Sequence, residues 1–280
     1  GMKSVLQATA FSINTAYVAM ENQLDLCAVA DTAYLAGFRP SLSEAPDSST
    51  NADGIQVEPS MVLGIQNTSP LAMASAYATF ASGGKYCEPV AITSVLDAEG
   101  KELEVPSANC RTVIDSSVAA GVNHALKGVL DNGGAKASRL SGRTAAGKTG
   151  TAQKSYHTWF VGYTPQLSTA VWVGHPDRNI SMQNIVINGI PRSIVYGSTI
   201  AAPTWKRFMD KALAGQPNVE FPEVGTKVLH GEKVAVPRVW GQSVDAAKQL
   251  LEQAGFSVTV RAQKVYSSAP DGAVAYTSPS

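Results

Sequence analysis

Apolar positions recur at three- and four-residue spacing through Ala10–Met20, the signature of one helix face, and residues 3–37 read as helical. A second helix should start near Asp25 or Leu26 and end at Gly37. Residues 40–60 are rich in Ser, Asp, Pro and Asn and predict a surface loop. Ser69–Phe80 reads as a helix with Ser at its N-cap and Pro at its first position, stopped by Gly83-Gly84. Another helix is expected from Asp115 to Leu130, ended by Asn132-Gly133-Gly134, and another from about Ala202 to Leu213. Between these two the period changes. Thr158–Tyr163 and Ser168–Val173 are β-branched and aromatic runs around Thr164-Pro165-Gln166, a hairpin signal.

Composition shifts near Gln216-Pro217, and residues 216–232 carry the Pro, Gly and charge of a linker. A compact β-α-β pattern follows over residues 233–280: Val234–Pro237, a helix from Ser243 to Ala254, Gly255 as its C′ residue, then Phe256–Val260. The chain therefore divides into a large domain, 1–215, and a small one of about fifty residues.

With 44% apolar and 16% charged residues in a chain of 280, a sizeable core is available and disorder is not expected. The 22 basic and 22 acidic residues leave no basic field for nucleic acid. No apolar run approaches the ~18 residues of a membrane span, and no signal peptide opens the sequence. Gly1-Met2 reads as a cloning remnant before an interior segment. Cys87 and Cys110 flank two short strands, Val90–Leu96 and Lys101–Val105, around a turn at Asp97–Gly100. Hairpin ends can meet bridge geometry, which predicts a Cys87–Cys110 disulfide and an oxidising compartment. The alternative is two unpaired small core residues. Cys27, in an Ala/Leu/Val-rich helical stretch, is expected to be buried and inert.

Gly142–Thr149 satisfies the bare phosphate-loop pattern G-x-x-x-x-G-K-[ST]. Such a loop must open a helix whose amides face an anion. Here a hairpin follows, so Lys148 is better read as an amine on a strand beside two hydroxyls, Thr149 and Thr151. Gly150 lets another backbone approach the strand edge. Strict alternation sets Lys148 and Gly150 on one face and both threonines on the other. One site can use all four only at the edge of the strand or where it twists. His124, His175 and His230 lack ligand spacing, so neither a metal nor another cofactor is expected. His157 reads as a loop residue near a cleft mouth, Trp159-Phe160 as hairpin and core packing, and Tyr17 as core.

The elements S-x-x-K, S-x-N and K-T-G together mark class A β-lactamases and penicillin-binding proteins. Lys148-Thr149-Gly150 matches the third and Ser12-Ile13-Asn14 the second. Ser69–Phe80, Gly147–Thr151, the run from Trp159 through Pro165 and Ala170–Gly174 resemble class A penicillin-binding proteins as well. Over residues 233–280 the chain resembles a PASTA module, carried by Val236-Pro237, Gly241, Ala246-Ala247, Gly255-Phe256 and Pro270–Val274, and it stops before the usual last strand.

The resemblance implies an α/β (α+β) transpeptidase fold of the penicillin-binding and serine-β-lactamase type, an antiparallel sheet flanked by helices, with a small β-α-β PASTA domain. It implies a peptidoglycan D,D-transpeptidase that passes an acyl-enzyme from a donor stem peptide to an acceptor amine. β-Lactams mimic the D-Ala-D-Ala end and trap that acyl-enzyme. The setting implied is the outer face of the cell membrane. By the same resemblance Ser12 relays a proton between the nucleophile region and Lys148, and Asn14 bonds the substrate amide. Lys148 tunes Ser12, Thr149 and Thr151 hold the substrate carboxylate, and the Thr151 N–H is half of an oxyanion hole.

One departure qualifies this. The S-x-x-K serine and lysine should precede S-x-N, yet the eleven residues before Ser12 contain no such string. Ser82-Gly83-Gly84-Lys85 has the letters but lies at a helix end, and is read as a decoy. The nucleophile, with the membrane anchor, is thus expected in an upstream part of the same protein or a companion chain, and this chain alone is expected to be inactive. Two alternatives stand beside this reading. One is a non-catalytic piece that binds wall muropeptides through the PASTA module. The other is a β-lactamase-like hydrolase, for which Glu58 is the only tempting base.

Overall fold

The computed structural model describes residues 3–41, 50–51, 53–231, 235–261 and 265–278. Residues 42–49 and 52 of the loop expected at 40–60, and the start of the strand expected at Val234, lie outside them. The described residues form two compact units, Gly1–Leu229 and His230–Ser280.

The large unit is built on a three-stranded antiparallel sheet, β5 (Ala146–Thr151), β6 (His157–Thr164) and β7 (Leu167–Gly174), in that order. Thr164 pairs with Leu167 across a two-residue turn, so the Pro165 turn and both flanking strands are where the sequence puts them. One face carries Phe160, buried against Trp205 of α6 (Ala201–Ala212), with ring centroids 4.9 Å apart. The Trp205 indole N–H donates to the Gly162 carbonyl (2.8 Å). The other face carries Ala146 and Tyr163, which pack on Leu126 of α5 (Ser116–Asp131) and Tyr77 of α4 (Pro70–Ala81). The Tyr163 hydroxyl donates to Asn123 Oδ1 (2.7 Å), and Asn123 Nδ2 donates to the Phe80 carbonyl (3.0 Å). This buried chain ties β6, α5 and α4 together. Burial pushes the Tyr163 phenol up, and pushes that of Tyr77 up to about 12.

The N-terminal stretch departs from the expectation of one helix through Ala10–Met20. It forms α1 (Val5–Phe11) and α2 (Asn14–Glu21), before α3 (Leu26–Ala36) capped by Asp25 and ended at Gly37. Ser12 adopts φ 54° and ψ 51°. Its N–H goes to Thr9 O and that of Ile13 to Ala8 O, the paired bonds of a Schellman turn. Cys27, in the first turn of α3, is exposed, contrary to the expected buried position. Its helix presents that face to solvent.

Cys87 and Cys110 are bonded. The bridge continues the ladder of β1 (Lys85–Tyr86) and β4 (Arg111–Thr112), in which Tyr86 faces Arg111. The strands between them are shorter than the sequence suggests. Only β2 (Val95–Leu96) and β3 (Glu102–Leu103) pair, across the turn capped by Asp97. A second hairpin, β8 (Gln183–Ile187) and β9 (Ile190–Ile194), escaped the sequence reading. Its signal was Asn188-Gly189, both at positive φ (50° and 77°), as a two-residue I′ turn requires.

The stretch read as a linker is partly built in. Phe221 is buried against Tyr163, with ring centroids 5.5 Å apart. Arg143 donates to the carbonyls of Leu213, Gln216 and Pro217, and α7 (Thr226–His230) follows. In the small unit α8 (Val244–Gln253) is capped by Ser243 and closed by Gly255 and Phe256 bonding back to Glu252 and Leu251. Val239, Ala247 and Leu251 form its core with Val236, Phe256, Val258 and Val274 around them. The flanking segments expected as strands do not pair as a ladder. Among the described residues of the small unit a single bridge, Ser243 with Ala273, is present.

Candidate functional site

The Lys148 amine donates to the Ser12 hydroxyl at 2.7 Å and to the Thr149 carbonyl at 3.0 Å. These two side chains are 136 positions apart in sequence. Three packing steps bring them together. Tyr163, Asn123 and Leu126 fix α5 against the face of the sheet that carries Lys148. The Gly133-Gly134 end of α5 then receives Ala10 of α1. The Gly134 N–H donates to the Ala10 carbonyl (3.1 Å), and a Cβ on Gly133 would lie 2.2 Å from that oxygen. Sequence reading saw these glycines as a helix stop, and their second use is to admit α1. Finally the left-handed turn at Ser12 ends α1 two residues after Ala10. For an L-residue this conformation costs about 1–2 kcal/mol.

Burial pulls the Lys148 amine down from 10.5 to about 8. Asn14 opens α2, and its exposed carboxamide has no protein partner among the described residues. Tyr17, expected in the core, is half-buried and shares a hydrogen bond with Thr9.

The strand edge resolves the alternation difficulty. The Ala152 N–H donates to the His157 carbonyl (2.8 Å). The hydrogen-bonded pairs of the β5–β6 ladder therefore fall at Gly150 with Trp159, Lys148 with Val161 and Ala146 with Tyr163. The main-chain N–H and C=O groups of Gly147, Thr149 and Thr151 turn outward, to the edge that β6 does not cover. Lys148 stands on one side of that edge. Thr149 and Thr151 stand on the other, the Phe160 and α6 side. The Thr151 Oγ1 accepts from the Gly197 N–H at 3.1 Å. Gly197 was not singled out in the sequence. The one available hint was a Tyr-Gly pair between a hairpin and a helix.

The remaining candidates sort themselves by their bonds. Ser82 caps α4, and its hydroxyl lies 2.6 Å from the Lys85 carbonyl and 3.0 Å from that of Thr79. His157 starts β6, stacks on Trp172 with centroids 5.8 Å apart and meets Asn179 through Nε2 (3.0 Å). Trp159 lies over Gly150, where a Cβ would come within 3.1 Å of its own. A polar cleft of about 380 Å³ at the start of β5 is lined by Lys127, Arg143, Thr144, Asn218 and Glu220. Arg143 is committed to backbone carbonyls and Glu220 to neighbouring side chains. The bonds from Thr144 and Asn218 hold the Glu220 carboxyl down.

Residues 2–189 match the penicillin binding protein transpeptidase domain family, and residues 234–280 match the PASTA domain family. Penicillin-binding protein 1A of Mycobacterium tuberculosis is 35% identical over 235 residues, covering 80% of this chain and 28% of that protein. Penicillin-binding protein 2D of Bacillus subtilis is 34% identical over 176 residues, covering 60% of this chain and 23% of that protein. The chain thus spans about a quarter of the length of these curated relatives. Among solved structures, the PonA1 protein from Mycobacterium tuberculosis in complex with penicillin V superposes with a TM-score of 0.72 at 32% identity. That match covers 85% of this chain and 63% of the other.

Proposed function

From the premise that the chain belongs to the penicillin-binding protein transpeptidase family and carries a PASTA domain, we propose that it supplies the S-x-N and K-T-G side of a serine D,D-transpeptidase site. The nucleophilic serine and its lysine belong to a segment upstream of Ser12. The observation that carries this reading is the 2.7 Å bond between Lys148 and Ser12, the middle contact of such a site.

A donor stem peptide lies along the free edge of β5, with its C-terminal carboxylate between Thr149 and Thr151 and its amide against Asn14. The upstream serine oxygen attacks the D-Ala carbonyl carbon. The Thr151 N–H stabilises the oxyanion, and one such donor is worth about 10²–10³ in rate. The serine proton passes to the departing D-Ala amine, with Ser12 and Lys148 as the relay on this side. An acceptor amine then attacks the ester and regenerates the serine. A Lys148 amine near pH 8 exchanges protons at little cost close to neutrality. β-Lactams enter as carboxylate-bearing mimics of the donor. The Cys87–Cys110 bridge agrees with an extracytoplasmic setting. Without the upstream segment the covalent route is missing, so this chain alone is inactive.

The test uses a fluorescent penicillin. The chain alone is expected to take no covalent label. Supplied with the upstream transpeptidase segment, the label should appear on that segment, and Ser12→Ala or Lys148→Met should slow it. A label on Ser82 in the isolated chain would overturn the assignment. A second reading, muropeptide binding by the small unit, has in its favour an apolar groove of about 600 Å³ between Trp240 and Tyr276. Binding that is lost on deleting residues 233–280 would support it.

A further inference from the structure

We propose that Thr9 and Tyr17 are positioning residues that clasp the turn between α1 and α2 and so aim the Ser12 hydroxyl at Lys148. The inference rests on the transpeptidase reading of the site and adds to it two residues outside its motifs.

The turn is poorly fastened by its own two residues. Ser12 is left-handed without being glycine. Ile13 stands at the N-cap of α2 and has no side-chain oxygen to bond the first amides. The fastening comes instead from Tyr17, in the first turn of α2. Its hydroxyl meets Thr9 Oγ1, eight positions back in α1. A threonine hydroxyl carries one proton. That of Thr9 goes to the Val5 carbonyl at 2.8 Å, so Tyr17 is the donor between the two side chains.

Thr9 is buried, and both its polar groups serve this turn. Its main-chain carbonyl accepts from the Ser12 N–H at 3.3 Å, while its side chain holds α2. Ala8 and Ala10 on either side of it are buried, and the Ala10 carbonyl is bonded to Gly134 at the end of α5. Tyr17 is seated elsewhere. After burial, it is the second influence holding up the Tyr77 phenol, which brings it close to α4. Tyr77 in turn lies against Tyr163 on the Lys148 face of the sheet, with ring centroids 5.8 Å apart. Ser12 thus hangs between two anchors, one on α5 and one near α4. The hydrogen bond between Tyr17 and Thr9 joins them.

Tyr17→Phe removes the hydroxyl and keeps the ring. In the 280-residue chain, amide exchange is read at Ile13, whose N–H is bonded to Ala8 O at 2.9 Å. It should rise about tenfold, the scale of one lost hydrogen bond, while Leu126 in α5 keeps its rate. With the upstream segment supplied, the acylation rate at saturating penicillin should fall by about as much, with little change in the half-saturating concentration. Thr9→Val should reproduce both effects, and Thr9→Ser should behave as the parent. Adding Thr9→Val to Tyr17→Phe should change little further. An unchanged Ile13 rate would overturn the proposal, as would an equal rise at Leu126, the mark of general loosening. Faster exchange with undiminished acylation would overturn it too, since the turn would then not govern Ser12. Should Thr9→Val fail to fold, Tyr17→Phe and Thr9→Ser decide. Absence of any acylation in the parent would instead strike the transpeptidase reading, while the exchange rates would still decide the clasp.

Discussion

At the scale of single residues, Lys148 is the site group whose environment has moved furthest from water. Its amine is pulled from 10.5 to about 8 by burial, with no partner anion among the described residues to hold the charge. Two consequences follow in opposite experiments. In peptide-resolved labelling with an amine-reactive reagent, Lys148 should reach half its maximal reactivity near pH 8, where an ordinary lysine needs about 10.4. A midpoint near 10 would show the amine to be solvated. In stability, the unfolded chain holds more protons at this site than the folded one between about pH 8 and 10. The folded state therefore gains relative to Lys148→Met as pH rises through that window, and denaturant midpoints of the two proteins should converge or cross in that sense. The Ser12 that receives this amine is itself held in a left-handed conformation more natural to glycine. A hydroxyl at that place is retained against a local conformational cost, which agrees with a functional use.

At the scale of elements, the contact between Ser12 and Lys148 depends on how closely α1 can approach α5. Ala10 sits against the Gly133-Gly134 end of α5, and any side chain at Gly133 meets a backbone oxygen. Gly133→Leu should cost about 1–3 kcal/mol as overpacking. By displacing α1 it should also lift the labelling midpoint of Lys148 back toward the ordinary value. A variant that loses stability but keeps the midpoint near pH 8 would show that α1 is held by something else. This juxtaposition is what the sequence could not display. The helices at 70–81, 116–131 and 201–212 and the strand pair around Pro165 were legible because caps and periodicity are local. The break at Ser12 was not, since an L-serine in a left-handed turn carries no compositional mark. The Asn188-Gly189 hairpin was legible in principle and went unread. Lys148, Thr149 and Thr151 were singled out from a motif, but the partner of Thr151 was not, because Gly197 acts through the absence of a side chain and through a backbone amide.

At the scale of the whole molecule, the question is where the large unit ends. Composition puts the change at Gln216, yet the packing runs on through the next residues. Phe221 closes the cluster of Ala146, Tyr163 and Leu126, the layer directly beneath the start of the Lys148 strand. Arg143 gathers three carbonyls between Leu213 and Pro217, and Thr144 bonds Glu220. Gly121 leaves room for Val228, whose methyl would lie 2.7 Å from a Cβ at that place. Two truncations separate the alternatives, and both lack the small unit. A chain ending at Leu229 keeps all of these contacts. A chain ending at Ala214 loses a buried phenylalanine, a loss worth about 3–5 kcal/mol, and strands Arg143 without two of its acceptors. The shorter chain should unfold at lower denaturant by that margin. It should also expose β5 to faster amide exchange, since Ala146 would lose its cover. Equal stability of the two would mean that residues 215–229 are a tether after all. The unit that holds Lys148 in place would then be complete at α6.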